Sequence, residues 1–131
     1  MELLFIEQTK STPEIRFDPV INQLSIKGQS YPENSFKFYE PVFNWLDIYL
    51  GQASQEVLVN INFDMPYINT SSSKCLMMVL EKFENAYRNG KKIGIIWYYN
   101  LENETSLECA EDFKEDLTIP FELRALTETQ T

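Results

Sequence analysis

Val57-Leu58-Val59-Asn60-Ile61-Asn62-Phe63-Asp64 is the stretch that decides the fold. Apart from Leu58 its apolar residues fall on odd positions, and Val and Ile favour extended backbone, so 57–63 reads as a β-strand. Downstream the period changes. Leu76, Leu80, Phe83 and Tyr87 lie at i, i+4, i+7 and i+11, which predicts a helix over 73–88. Asn89-Gly90 stops it, with Arg88 in its last turn. Ile93-Gly94-Ile95-Ile96-Trp97-Tyr98-Tyr99 is then a second strand, apolar enough to be covered on both faces. Strand, helix and strand form a βαβ unit, whose strands should run parallel with a right-handed crossover.

Working outward, 3–7 reads as a short strand. Ile15-Arg16-Phe17 and Leu24-Ser25-Ile26 alternate, and Asp18-Pro19 and Asn22 between them suggest a hairpin. Gly28-Gln29-Ser30 opens a loop. Tyr39, Val42, Phe43, Leu46, Tyr49 and Leu50 form one helical stripe. Ser30 and Glu33 have capping-box spacing for it, with Pro32 near the first turn. Pro41 should kink or restart this helix, and Gly51 should end it. The acidic segment 102–116 suggests a third helix with Leu107, Ala110, Lys114 and Leu117 inward. Phe121-Glu122-Leu123 could close the sheet. The expectation is one α/β domain over 1–126 with a mixed sheet of about five strands, and a disordered polar tail at 127–131.

Composition narrows the chemistry. The 131 residues are 44% hydrophobic and 14% aromatic, a globular composition. The formal net charge of −9 argues against nucleic acid and anionic membranes, which need Lys and Arg, and favours basic protein surfaces. There is no histidine, which removes Ser-His and Cys-His catalysis and imidazole metal sites. Cys75 and Cys109 lack zinc or CxxC spacing and read as reduced thiols. Neither a signal peptide nor a membrane span is visible, so a cytoplasmic protein without a cofactor is expected.

Asp64-Met65-Pro66-Tyr67-Ile68-Asn69-Thr70-Ser71-Ser72-Ser73-Lys74 runs from the carboxyl end of a strand to the amino end of a helix. In open α/β sheets that edge is where ligands and partners meet the fold. Asn, Ser and Thr are N-cap residues, so capping alone is one explanation. One cap needs one side chain, however, and four hydroxyls stand in a row. Lys74 also sits in the first turn, where the helix dipole disfavours a cation. A phosphate on Thr70 would reverse that penalty. No glycines make a nucleotide cradle, and Ser73-Lys74 are neighbours that diverge by about 100° on a helix, so they do not form a nucleophile pair.

Together with Tyr31-Pro32-Glu33-Asn34, Leu107-Glu108-Cys109-Ala110-Glu111-Asp112-Phe113 and Pro120-Phe121-Glu122-Leu123, the run Tyr67-Ile68-Asn69-Thr70-Ser71-Ser72-Ser73-Lys74 resembles the SiaC family of bacterial regulatory phosphoproteins. The likeness covers nearly the whole chain. It implies a fold similar to STAS domains, the fold of anti-sigma factor antagonists. It implies Thr70 as phosphoacceptor, with the neighbouring serines also open as acceptors, and partner contacts from Tyr31, Glu33, Asn34, Tyr67, Asn69, Ser71, Ser72, Ser73 and Lys74. It further implies a Ser/Thr kinase of the histidine-kinase-like ATPase fold and a metal-dependent phosphatase. The effector implied is a diguanylate cyclase activated by the unphosphorylated form, which ties the switch to cyclic-di-GMP and biofilm control. Two rivals stand beside this partner switch: a constitutive adaptor whose serines only cap, and a small enzyme using carboxylates and Lys74. The stretch Glu104, Glu108, Glu111, Asp112 and Glu115 reads either as a solvated helix face or as a docking surface for basic partners.

Overall fold

Each strand alternates, and its inward residues all point to one side. The computed structural model describes residues 1–126 as β1 (Leu4–Ile6), β2 (Glu14–Asp18), β3 (Gln23–Lys27), α1 (Ser35–Gln52), β4 (Leu58–Asp64), α2 (Thr70–Arg88), β5 (Lys92–Asn100), α3 (Glu104–Glu115) and β6 (Phe121–Leu126). The expected tail at 127–131 lies outside the described residues. The sheet has six strands, one more than expected, in the order β1-β2-β3-β4-β5-β6. β1, β2 and β3 pair antiparallel; β3 to β6 pair parallel. Strand order equals chain order, so the right-handed crossovers through α1, α2 and α3 fall on one face of the sheet.

That face holds the core. Ile15, Phe17, Leu24, Ile26, Val59, Ile61, Phe63, Ile93, Ile95 and Trp97 are buried against the helices. Trp97 stacks on Phe63 at 4.5 Å and on Phe113 of α3 at 5.1 Å between ring centroids. The opposite face is uncovered among the described residues and carries Arg16, Ser25, Asn62, Ile96 and Glu122 across the strands. β5 is therefore not covered on both faces as its composition suggests: Gly94, Ile96 and Tyr98 are only half-buried.

Helix boundaries depart from the sequence reading in physically clear ways. Asn34, not Ser30, caps α1, accepting from Lys37 N at 3.0 Å; Ser30 is buried and paired elsewhere. α1 runs unbroken through Pro41 and Gly51 to Gln52. Pro41 is exposed, so the carbonyl it leaves unpaired faces water. α2 starts three residues earlier than predicted, at Thr70, because Asn69 takes the cap. The inner face of α3 is Ser106, Ala110 and Phe113; Lys114 is exposed and Leu107 and Leu117 only half-buried.

Candidate functional site

Two segments that are remote in sequence meet at the carboxyl edge of the parallel strands. The β3–α1 linker continues the β3–β4 pairing beyond the strands. Gly28 N donates to Asp64 O (2.9 Å), Ser30 N to Tyr67 O (2.9 Å) and Asn69 N to Ser30 O (3.0 Å). Gly28 can take this path because its φ of 121° suits glycine, and a Cβ there would sit 2.7 Å from Gln8 Nε2. The linker thereby fixes the loop that precedes Thr70.

A line of hydroxyls locks the two helix starts together. Ser71 Oγ donates to Asn69 Oδ1 (3.3 Å), and Ser30 Oγ donates to Ser72 Oγ (2.8 Å). With those two directions set, one ordering satisfies the remaining contacts. Tyr39 OH donates to Ser30 (2.7 Å), Ser72 to Ser35 (3.1 Å) and Ser35 to Ser71 (2.7 Å). The chain runs from buried Tyr39 to the cap of α2. Burial pushes the Tyr39 phenol well above its ordinary range, despite the Ser30 contact, so it stays a donor. Ser30→Ala should therefore strand a buried Tyr39 hydroxyl and cost about 2 kcal/mol. Adding Tyr39→Phe should recover part of that loss in urea unfolding, whereas simple additivity would count against the chain.

The four consecutive hydroxyls are thus not equivalent. Ser72 is buried, Ser73 is half-buried, and Ser71 is exposed but held between Ser35 and Asn69. Thr70 is exposed, and among the described residues no protein group engages its hydroxyl. Asn69 performs the capping itself, accepting from Ser72 N at 2.9 Å. No acidic residue occupies the first turn of α2, and exposed Lys74 lies one turn beyond Thr70 on the same face. An anion at Thr70 would meet free N–H groups, the positive helix end and this ammonium.

Other expected site residues gather at the same edge. Tyr31 packs edge-on against Tyr67, with centroids 6.0 Å apart, and Tyr67 is 51% exposed. Glu33 and Asn34 are exposed just before Ser35, which touches Ser71; the Asn34 side chain is committed to capping α1. Sequence reasoning missed Ser30, Ser35 and Tyr39. Ser30 reads from sequence as a loop or cap residue and Tyr39 as core, and no periodicity marks a hydroxyl that bonds across more than thirty residues. It also left exposed Met78, on α2 four residues after Lys74, without a role.

Comparison with known proteins follows the same lines. The sequence pattern of the SiaC family regulatory phosphoproteins matches residues 6–126. The chain belongs to the SiaC family. An uncharacterized protein of Pseudomonas aeruginosa strain UCBPP-PA14 is 36% identical over 125 residues, covering 95% of this chain and 98% of that one. The structure of SiaC of Pseudomonas aeruginosa aligns with TM-score 0.89 at 34% identity, over 96% of this chain and 100% of that one. SiaC as the activator in complex with the diguanylate cyclase SiaD, from the same organism, aligns with TM-score 0.88 at 36% identity, over 94% and 99% of the two chains. The match bears out the expected family and the expected α/β fold. No helix among the described residues is long and apolar enough to cross a membrane.

Proposed function

We propose that this chain is a cytoplasmic partner switch whose unphosphorylated Thr70 face binds and activates a diguanylate cyclase. A Ser/Thr kinase of the histidine-kinase-like ATPase fold and a metal-dependent phosphatase set the state of Thr70. The observation that carries this reading is the contrast among the four hydroxyls: Thr70 is exposed and uncommitted, while Ser71 and Ser72 belong to a structural chain. Activation of a cyclase is supported by the similar SiaC that stands in complex with SiaD. The purely capping explanation loses its motive, because Asn69 already supplies the cap. Tyr31, Glu33, Asn34, Tyr67 and Lys74 belong to the same sheet edge as Thr70 and form the surface that kinase, phosphatase and cyclase share.

The test is intact and fragment mass spectrometry of the chain purified from its own cells, with and without phosphatase treatment. The expected result is one phosphoryl group on Thr70. A phosphoryl group on Ser71 instead, or a chain unmodified across growth conditions, would sink the assignment.

A further inference from the structure

The far edge of the sheet offers a surface that Thr70 does not use. Among the described residues β6 pairs only with β5. The bond from Ile95 N to Pro120 O (3.0 Å) sets the phase of that pairing. Backbone groups of Glu122, Arg124 and Leu126 turn toward β5, so those of Phe121, Leu123 and Ala125 point outward and are open to a further strand. Beside this edge lies a groove of about 590 Å³ between α3 and β6. Leu117, Ile119 and Leu123 form its apolar floor, and Glu111, Asp112 and Glu115 its wall, with Lys114 the one cation lining it among the described residues.

We propose that this groove is a second docking site, for an extended basic segment of a partner protein that pairs with β6 as an added strand. The edge supplies backbone hydrogen bonds at strand spacing, and alternate side chains of the incoming strand would point toward the helix layer. There apolar residues meet Leu117 and Leu123, and Lys or Arg side chains reach the carboxylates of α3. Charge decides between occupants. A second copy paired β6 to β6 about a two-fold axis would bring two acidic walls together, which is unfavourable. Residues 127–131 carry Glu128 and no cation, so their charge does not complement the wall either. Nucleic acid and anionic lipid are repelled for the same reason.

The test uses the full chain, uniformly ¹⁵N-labelled, titrated with a capped ten-residue peptide in which every second residue, the set sharing one strand face, alternates Val and Lys, with Thr between them. The expected result is saturable binding that slows hydrogen exchange at the amides of Phe121, Leu123 and Ala125. Glu111→Lys with Glu115→Lys, both at exposed positions, should weaken it at least about tenfold. An N-methylated peptide that cannot pair on the β6 side should bind at least about tenfold more weakly. Equal binding of the N-methylated peptide would reduce the site to charge attraction and overturn strand pairing. Shifts scattered over the acidic surface, or no saturable binding, would overturn the site altogether.

Discussion

Phosphorylated at Thr70, the chain should bind the proposed diguanylate cyclase about a hundredfold more weakly than the unmodified form, while its own thermal stability rises slightly. Both effects have one physical origin. The phosphate places about −2 charge at the amino end of α2, near N–H groups with no helical partner and near Lys74. That site welcomes it, at roughly 0.3–1 kcal/mol for a charge at an exposed helix end. A partner docked there, however, must desolvate or displace the new dianion, and losing a desolvated contact costs several kcal/mol. The opposite signs distinguish a switch from mere damage, since a modification that weakened binding by unfolding the loop would lower stability too. Thr70→Ala should bind within a few-fold of the unmodified chain and be insensitive to the kinase. Thr70→Glu should fall between, because one carboxylate copies a phosphate poorly. Calorimetric titration against the cyclase and thermal melts of the same samples check both halves. If Thr70→Ala abolished binding with its fold intact, the hydroxyl itself would be the contact, and the charge argument would fail.

The sequence disclosed the parts of this molecule that periodicity controls. Val59, Ile61 and Phe63 alternate, Leu76, Leu80 and Phe83 follow the helical period, and the parallel direction of β4 and β5 follows from the βαβ reading. Phe121-Glu122-Leu123 gave too little pattern for a confident strand because β6 draws its burial from Trp97, whose ring centroid lies 6.2 Å from that of Phe121. The cap of α1 departs from the sequence reading because two candidates compete there. Ser30 and Glu33 had the right spacing, yet Ser30 was claimed by the hydroxyl chain, and Asn34 took the cap of α1. At the site, the strand-to-helix junction and Thr70 were legible, because polar residues between two periodic segments stand out. The linker that holds the junction was not, because backbone bonds from Gly28 and Ser30 leave no trace in side-chain identity.

Glu84→Ala should cost about 3 kcal/mol at neutral pH, since it strips a buried carboxylate from the donors arranged around it. Glu84 lies on the inner side of α2 and accepts from Thr118 N (2.9 Å), Thr118 Oγ1 (2.5 Å), Ile119 N (3.3 Å) and Arg88 Nε (2.7 Å). Burial alone would raise its pKa, but the bonds from Thr118, Arg88 and Ile119 outweigh it and hold the group at about 2. The sign of the pH dependence follows. With the folded value depressed, the contribution is complete above the ordinary carboxylate range near 4.5 and is lost as pH falls from there toward 2. Urea unfolding at pH 7, 4 and 3 should therefore show the gap between the unsubstituted chain and Glu84→Gln narrowing as acid is added. The amide cannot replace the charge, and the many other carboxylates cancel in the difference. A gap that stays constant with pH would mean that packing rather than the charge is what Glu84 supplies. Because Thr118 and Ile119 lie in the turn that leads into β6, the loss should be local: β6 amides should exchange faster while those around Thr70, at the start of α2, keep their rates.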